Sequence, residues 1–429
     1  MPQSRNLKLI GALVALLGAA AIAFFIFDSD RELEPSRKPL SYEELTGSAF
    51  LSAPRDPSKP PEVRELTPPR FVAATSVWGS TGRDLHGRIW VGVSASGPGA
   101  SAHLHSYTPE TDAWRDCGSV VDQLKAARLY SEGEGQIKIH SRIILARDGW
   151  LYFASTDEEG EEDDGTALPR WGGHLWRVDP DNCLWQHIKA VPEGLVAVSG
   201  IGRYIYALGY WGHVLYQYDT SSGSMKRVKV GSVAGHVSRN FLADVKGHVY
   251  VPRLSAKPGA KAQATLVEYD SGLQELASTP LEFYLGDDGP NENHGIIGLS
   301  YLPDGRILFT TSHGRLYLIE PGRDKPALVT DLGWFHPGGE AYAPSLFVLG
   351  REGLVAGVTN RASRFEWVVF DLNTRITGAR PFDTKNLRGV LLFGSMTRDD
   401  AGRLYVGGWA SAEGDRPRPL IMQVKVPPD

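Results

Sequence analysis

Three histidines precede turn glycines at similar distances. His140 in KIHSR, His236 in GHVSRN and His294 in NENHG lie 9, 11 and 11 residues before Gly149, Gly247 and Gly305. Arg142 and Arg239 follow the first two at two and three residues, and His336 in HPGGEAYAP stands further back in a later segment. Two chemistries suit such a set. Neutral imidazoles at His140, His236 and His294 could hold a divalent metal. Alternatively, His and Tyr could act as acid and base while Arg neutralises a carboxylate. The competing reading is structural, since a His at a strand start often bonds to neighbouring backbone and an Arg often pairs with Asp.

Side chains so far apart in sequence meet only if a repeating element brings equivalent positions together, and the chain contains one. From residue 71 onward, a turn ending in Gly leads into a short strand that alternates aliphatic and aromatic residues. Seven copies occur: DLHGRIWVG (84–92), RDGWLYFA (147–154), GRYIYA (202–207), DVKGHVYV (244–251), DGRILF (304–309), EGLVAG (352–357) and DAGRLYVG (400–407). Their glycines, Gly87, Gly149, Gly202, Gly247, Gly305, Gly353 and Gly402, are 62, 53, 45, 58, 48 and 49 residues apart. That spacing is near the ~40–50 residues of a four-stranded propeller blade.

A second strand–turn–strand unit follows most copies, as in LHSYTPETDAW (104–114) and LWRVDPDNCLW (175–185). Asp and Asn cap such turns and Gly supplies positive φ, so these segments read as outer hairpins. A lone blade leaves both apolar faces wet, and radial stacking buries them. The last copy shows strands only near 389–396, 402–409 and 419–426, so its fourth is expected from the segment before residue 71. Residues that open the inner strands would then converge at one mouth of a central channel.

This pattern resembles the seven-bladed β-propeller superfamily of quinoprotein-like and lactonase-like proteins over residues 71–429. Within it, HSRIILARDGWLYFAST (140–156) resembles a blade motif of propeller polysaccharide lyases. That resemblance implies β-elimination on a uronic-acid polymer, with His140 matching the first motif histidine, Arg239 the cation and Tyr210 of GYWGH the acid. The chain departs from the motif where a second histidine is expected: Ser155 and Thr156 stand there, followed by the acidic run DEEGEEDD (157–164). Such a run repels a polyanion and reads as a solvated surface loop.

Residues 9–27 (LIGALVALLGAAAIAFFIF) are long enough to span a bilayer as a helix. Arg5 and Lys8 precede them and Asp28, Asp30 and Glu32 follow, which places residues 1–8 in the cytoplasm and the rest outside. The run exceeds a typical signal-peptide core, so an uncleaved anchor is expected over a cleaved signal peptide. Residues 28–70, rich in proline, read as a stalk. Net charge −5 argues against a nucleic-acid partner. If Trp114 and Trp185 are equivalent, Cys117 and Cys183 are offset by five residues, roughly 16 Å of strand, which argues against a disulfide. No P-loop, G-x-S-x-G, dinucleotide, H-E-x-x-H or C-x-x-C motif occurs.

The sequence thus predicts an all-β fold, a seven-bladed β-propeller of four-stranded antiparallel blades preceded by one transmembrane helix. The expected function is binding of an acidic carbohydrate or similar small ligand, and its cleavage, on the extracytoplasmic side of a membrane. His140, Tyr210 and Arg239 would be catalytic, Arg142, His236, His294, His336, Trp171 and Trp211 would bind ligand, and a divalent metal in the channel would be the cofactor. The alternative is a non-catalytic scaffold for a protein partner at the outer membrane face.

Overall fold

Alternating apolar residues suit a pleated strand with both faces buried between neighbours. In a computed structural model of the chain, each repeat copy forms the second strand of an antiparallel sheet. These strands are Ile89–Ala95, Leu151–Thr156, Tyr204–Gly209, Val249–Ser255, Ile307–Thr311, Leu354–Arg361 and Leu404–Ser411. The structure describes residues 39–47 and 59–427, apart from 163–164, 212, 234–235, 237, 258–260, 286–294, 324, 385–386 and 412–415. An inner strand flanks each second strand on one side and an outer hairpin on the other, giving seven blades. In the first blade the inner edge comes in two pieces, Ala74–Ser76 and Thr81–Arg83.

A buried aspartate fixes the inner turn in several blades. Asp84 accepts the backbone N–H groups of His86 (2.8 Å) and Arg88 (3.1 Å) and the indole N–H of Trp90 (2.8 Å). Asp244 repeats this with Lys246, His248 and the Tyr250 hydroxyl, and Asp399 with Ala401, Arg403 and the Tyr405 hydroxyl. The same carboxylate therefore shapes the turn and anchors the aromatic residue that packs beside the next blade.

Each pair of adjacent blades shares its own apolar cluster. The ring closes through Leu66, Ile89, Tyr107, Tyr405 and Ile421, which join the last blade to the first. Strand Glu62–Leu66 pairs antiparallel with Pro417–Lys425 and supplies the outermost strand of the seventh blade. The proline-rich stretch therefore contributes to the propeller itself. It also carries a helical turn, Tyr42–Thr46, N-capped by Ser41 with Glu44 completing a capping box. Residues 1–8 and the apolar run 9–27 lie outside the described residues. Among the described residues no helix is long and apolar enough to cross a membrane.

Cys117 and Cys183 form a disulfide with Cα atoms 5.4 Å apart, contrary to the expectation from tryptophan spacing. Trp114 and Trp185 do hold matching second positions in the outermost strands Ala113–Ser119 and Leu184–Val191. Neighbouring twisted sheets, however, do not set matching positions opposite one another. Trp185 instead donates its indole N–H to the Cys117 carbonyl (2.8 Å), and the turn residue Cys183 meets Cys117.

Candidate functional site

The inner strands crowd the axis because small residues let them. A Cβ at Gly82 would collide with the Ile143 carbonyl, and one at Gly394 with the Pro344 carbonyl. Among the described residues, two cavities lie along the narrow channel that remains. The upper one, on the face where inner strands begin, encloses ≈ 20 Å³ and is bordered by Trp78, His140, Arg142, Arg239, Phe393 and Met396. The lower one encloses ≈ 60 Å³ and is bordered by Leu45, Arg83, Arg142, Tyr301 and Arg398. Arg142 borders both.

At the upper mouth His140 stacks on Trp78, with ring centroids 5.7 Å apart. The Arg239 guanidinium stands 5.9 Å from the centroids of both Trp78 and Phe393. Arg239 donates to His140 Nε2 (3.3 Å), which leaves Nδ1–H to donate to the Val196 carbonyl (3.1 Å). Burial, then the charges of Arg239 and Lys138, hold the His140 imidazole well below its ordinary pKa. His140 is thus neutral with its lone pair already engaged. The Lys138 ammonium lies 5.2 Å from the Trp78 centroid and pairs with Glu158 of the acidic loop. Arg142 contacts the Met396 sulfur (3.2 Å) and Tyr301. Among the described residues neither Arg142 nor Arg239 has a carboxylate partner.

The helical turn Tyr42–Thr46 closes the opposite side. The Tyr42 hydroxyl donates to the Leu302 carbonyl (2.7 Å), and Leu45 lines the lower cavity. Arg398, 4% exposed, donates through Nη2 to the Val348 carbonyl (2.8 Å). Its Nη1 is buried without a partner among the described residues. Burial, then the nearby Arg83, pull its pKa down to about 10.

The structure brings together three of the residues singled out from sequence: His140, Arg142 and Arg239. Others lie elsewhere. His236 is fully buried between blades, with Nδ1 at 2.8 Å from Ser232 and Nε2 at 2.9 Å from the Tyr284 hydroxyl. His336 bonds to Glu366 (2.9 Å) and accepts the Gly338 N–H (2.8 Å). The Tyr210 hydroxyl donates to Glu161, and Trp211 donates to the same carboxylate (3.2 Å). Burial, then Glu161, push the Tyr210 pKa up, away from an acid's working range. Trp171 is half-buried beneath the Arg170 guanidinium, 4.4 Å from its ring centroid. His294 lies outside the described residues. Sequence reasoning passed over Trp78 and Phe393, although each stands nine residues before its own turn glycine, Gly87 or Gly402, as His140 does before Gly149.

No family model and no curated protein matches the chain. Solved structures match its fold. A chain of the mitotic checkpoint complex superposes with a TM-score of 0.51 at 7% identity, over 87% of this chain and 93% of that one. The RRP9 WD40 repeats superpose at 0.49 and 13% identity (87% and 99% covered), and a protein of unknown function from Dyadobacter fermentans at 0.49 and 12% (85% and 99%). The architecture is a seven-bladed β-propeller, and a specific likeness to quinoproteins or lactonases is not confirmed.

Proposed function

We propose that this chain is a non-catalytic propeller scaffold that receives a protein partner at the upper channel mouth, with a partner carboxylate seated on Arg239. The observation that carries this is Arg239 standing beside a contacting pair of partly exposed aromatic rings, Trp78 and Phe393 (centroids 4.3 Å apart), with no carboxylate of its own among the described residues. Tryptophan and arginine are the residue types that most often anchor protein interfaces. The cavity beneath, ≈ 20 Å³, has room for one or two waters and none for a sugar ring, so recognition belongs at the surface. The elimination chemistry lacks support for two reasons. His140 has its lone pair occupied, and Tyr210 is committed to Glu161. The mitotic checkpoint propeller belongs to a protein assembly, and its likeness to this chain is one of fold.

We also place the propeller on the extracytoplasmic side of a membrane. In support, its two cysteines are joined in a disulfide, which an oxidising compartment preserves. The test of the functional reading is affinity capture with the full chain and with Arg239→Glu. A partner held by the wild type should lose at least ~10-fold in affinity for the variant while the unfolding temperature is unchanged. Equal retention by both proteins, or release of unsaturated uronate from acidic polysaccharide by the wild type, overturns the reading.

A further inference from the structure

We propose that His103, His105 and Asp116 form a site for a divalent transition ion of the zinc class on the outer hairpin of the first blade. His103 and His105 are two residues apart on strand His103–Thr108, so their side chains share a face. Asp116 lies directly opposite His105 on strand Ala113–Ser119, with a pairing irregularity between the two histidines.

The spacing fits an ion. The Asp116 carboxylate is 3.4 Å from His103 Nδ1 and 3.7 Å from His105 Nδ1, and one ligand atom from each residue lies within 4.8 Å of the others. Tetrahedral sites with metal–ligand bonds of ~2.0–2.1 Å have ligand-to-ligand edges of roughly 3.3–3.4 Å. The separations present exceed those edges by at most about 1.5 Å.

An independent observation points the same way. His105 is 0% exposed, yet neither of its ring nitrogens has a hydrogen-bond partner among the described residues. Buried polar atoms without partners are rare and ask for an explanation, and an ion at Nδ1 supplies one. The surroundings are also arranged. Gly118 donates its N–H to Asp116 Oδ1 (2.9 Å), orienting the carboxylate, and Phe71 stacks on His103 with centroids 4.0 Å apart. Other imidazoles differ. His174 turns one nitrogen to His187 (3.0 Å) and the other to Glu134 (3.1 Å), so no single ion could take all three.

Two imidazole nitrogens and one carboxylate oxygen suit Zn²⁺, Co²⁺, Ni²⁺ or Cu²⁺ rather than Ca²⁺ or Mg²⁺. Asp116 is exposed, so the fourth position opens to solvent and takes water. The ion would cross-link the two outer strands of the first blade, His103–Thr108 and Ala113–Ser119.

The experiment is titration of the full chain with Co²⁺ and Zn²⁺, read by the visible bands of tetrahedral Co²⁺ and by calorimetry. One ion per chain is expected, displaced from Co²⁺ by Zn²⁺. Asp116→Asn and His103→Ala should each weaken binding at least ~10-fold, with little change in the unfolding temperature of the ion-free protein. Both positions reach solvent, so these variants carry the test even if His105→Ala fails to fold. Absence of stoichiometric Co²⁺ uptake by the wild type, or uptake that survives both substitutions, overturns the proposal.

Discussion

Replacing Cys117 and Cys183 together by alanine should remove about 4 kcal/mol of stability. The bridge joins the outer edges of the first and second blades across a sequence separation of 66 residues. Chain-entropy arithmetic for a loop of that length gives ~4 kcal/mol at 25 °C, because the open chain regains conformations that the bridge denies it. Loss of two sulfur atoms adds little, since alanine keeps each Cβ in place. The assay is equilibrium unfolding in guanidinium of the oxidised wild type, the reduced wild type and Cys117→Ala/Cys183→Ala. The last two should agree within ~1 kcal/mol and both fall well below the first. Two titratable thiols per unfolded chain in protein purified from an oxidising compartment would refute the pairing. A double variant within ~1 kcal/mol of the oxidised wild type would refute the magnitude.

Asp399→Ala should cost about 3 kcal/mol in the same assay, because it leaves the O–H of the buried Tyr405, which keeps only its bond from Gln423, and the inner-turn N–H groups without an acceptor. Tyr405→Phe should cost measurably less in that background than alone, and strict additivity would show that the two do not act together. His213 gives one share of the pH dependence, beside His105, His140 and His187, whose pKa values burial also lowers. Burial lowers its pKa to about 4, so the fold keeps it neutral. Its contribution is therefore complete above the unfolded value of ~6.5 and is lost as pH falls toward about 4. Between pH 7 and pH 5 this amounts to about 2 kcal/mol, and His213→Gln should reduce the change in stability across that interval by about that amount in urea titrations, leaving the shares of His105, His140 and His187. An unchanged profile would mean that His213 contributes no share of it.

Architecture was the most legible layer. Periodicity specifies backbone placement, and all seven Gly-turn copies became second strands, with the missing outer strand supplied from before residue 71 as the strand count required. Side-chain fate was less readable. Counting back from the turn glycines reached the channel mouth at His140, but looking for histidines alone kept His236, which stands two residues before the nine-residue offset shared by His140, Trp78 and Phe393 and turns its ring into the interface between blades. The same count applied to every residue type would have found Trp78 and Phe393. Cys117 and Cys183 failed for another reason, because their contact depends on the rotation between blades, which no local spacing encodes. His103, His105 and Asp116 were readable in principle as a His-x-His strand followed, across a hairpin, by an acid in register. Predicting that needed the hairpin's register, and the turn alone did not specify it.

Strand Glu62–Leu66 has a temporal consequence. Its partner Lys425 lies 363 positions later in the chain, so during synthesis at about 5–20 residues per second the early strand waits roughly 20 to 70 s for the segment it must pair with. By the end of that interval six blades can have assembled while the seventh cannot, leaving an arc with two naked ends. Such an arc is open to a chaperone or to the matching end of another nascent molecule, and it loses that susceptibility when the final β-ladder forms.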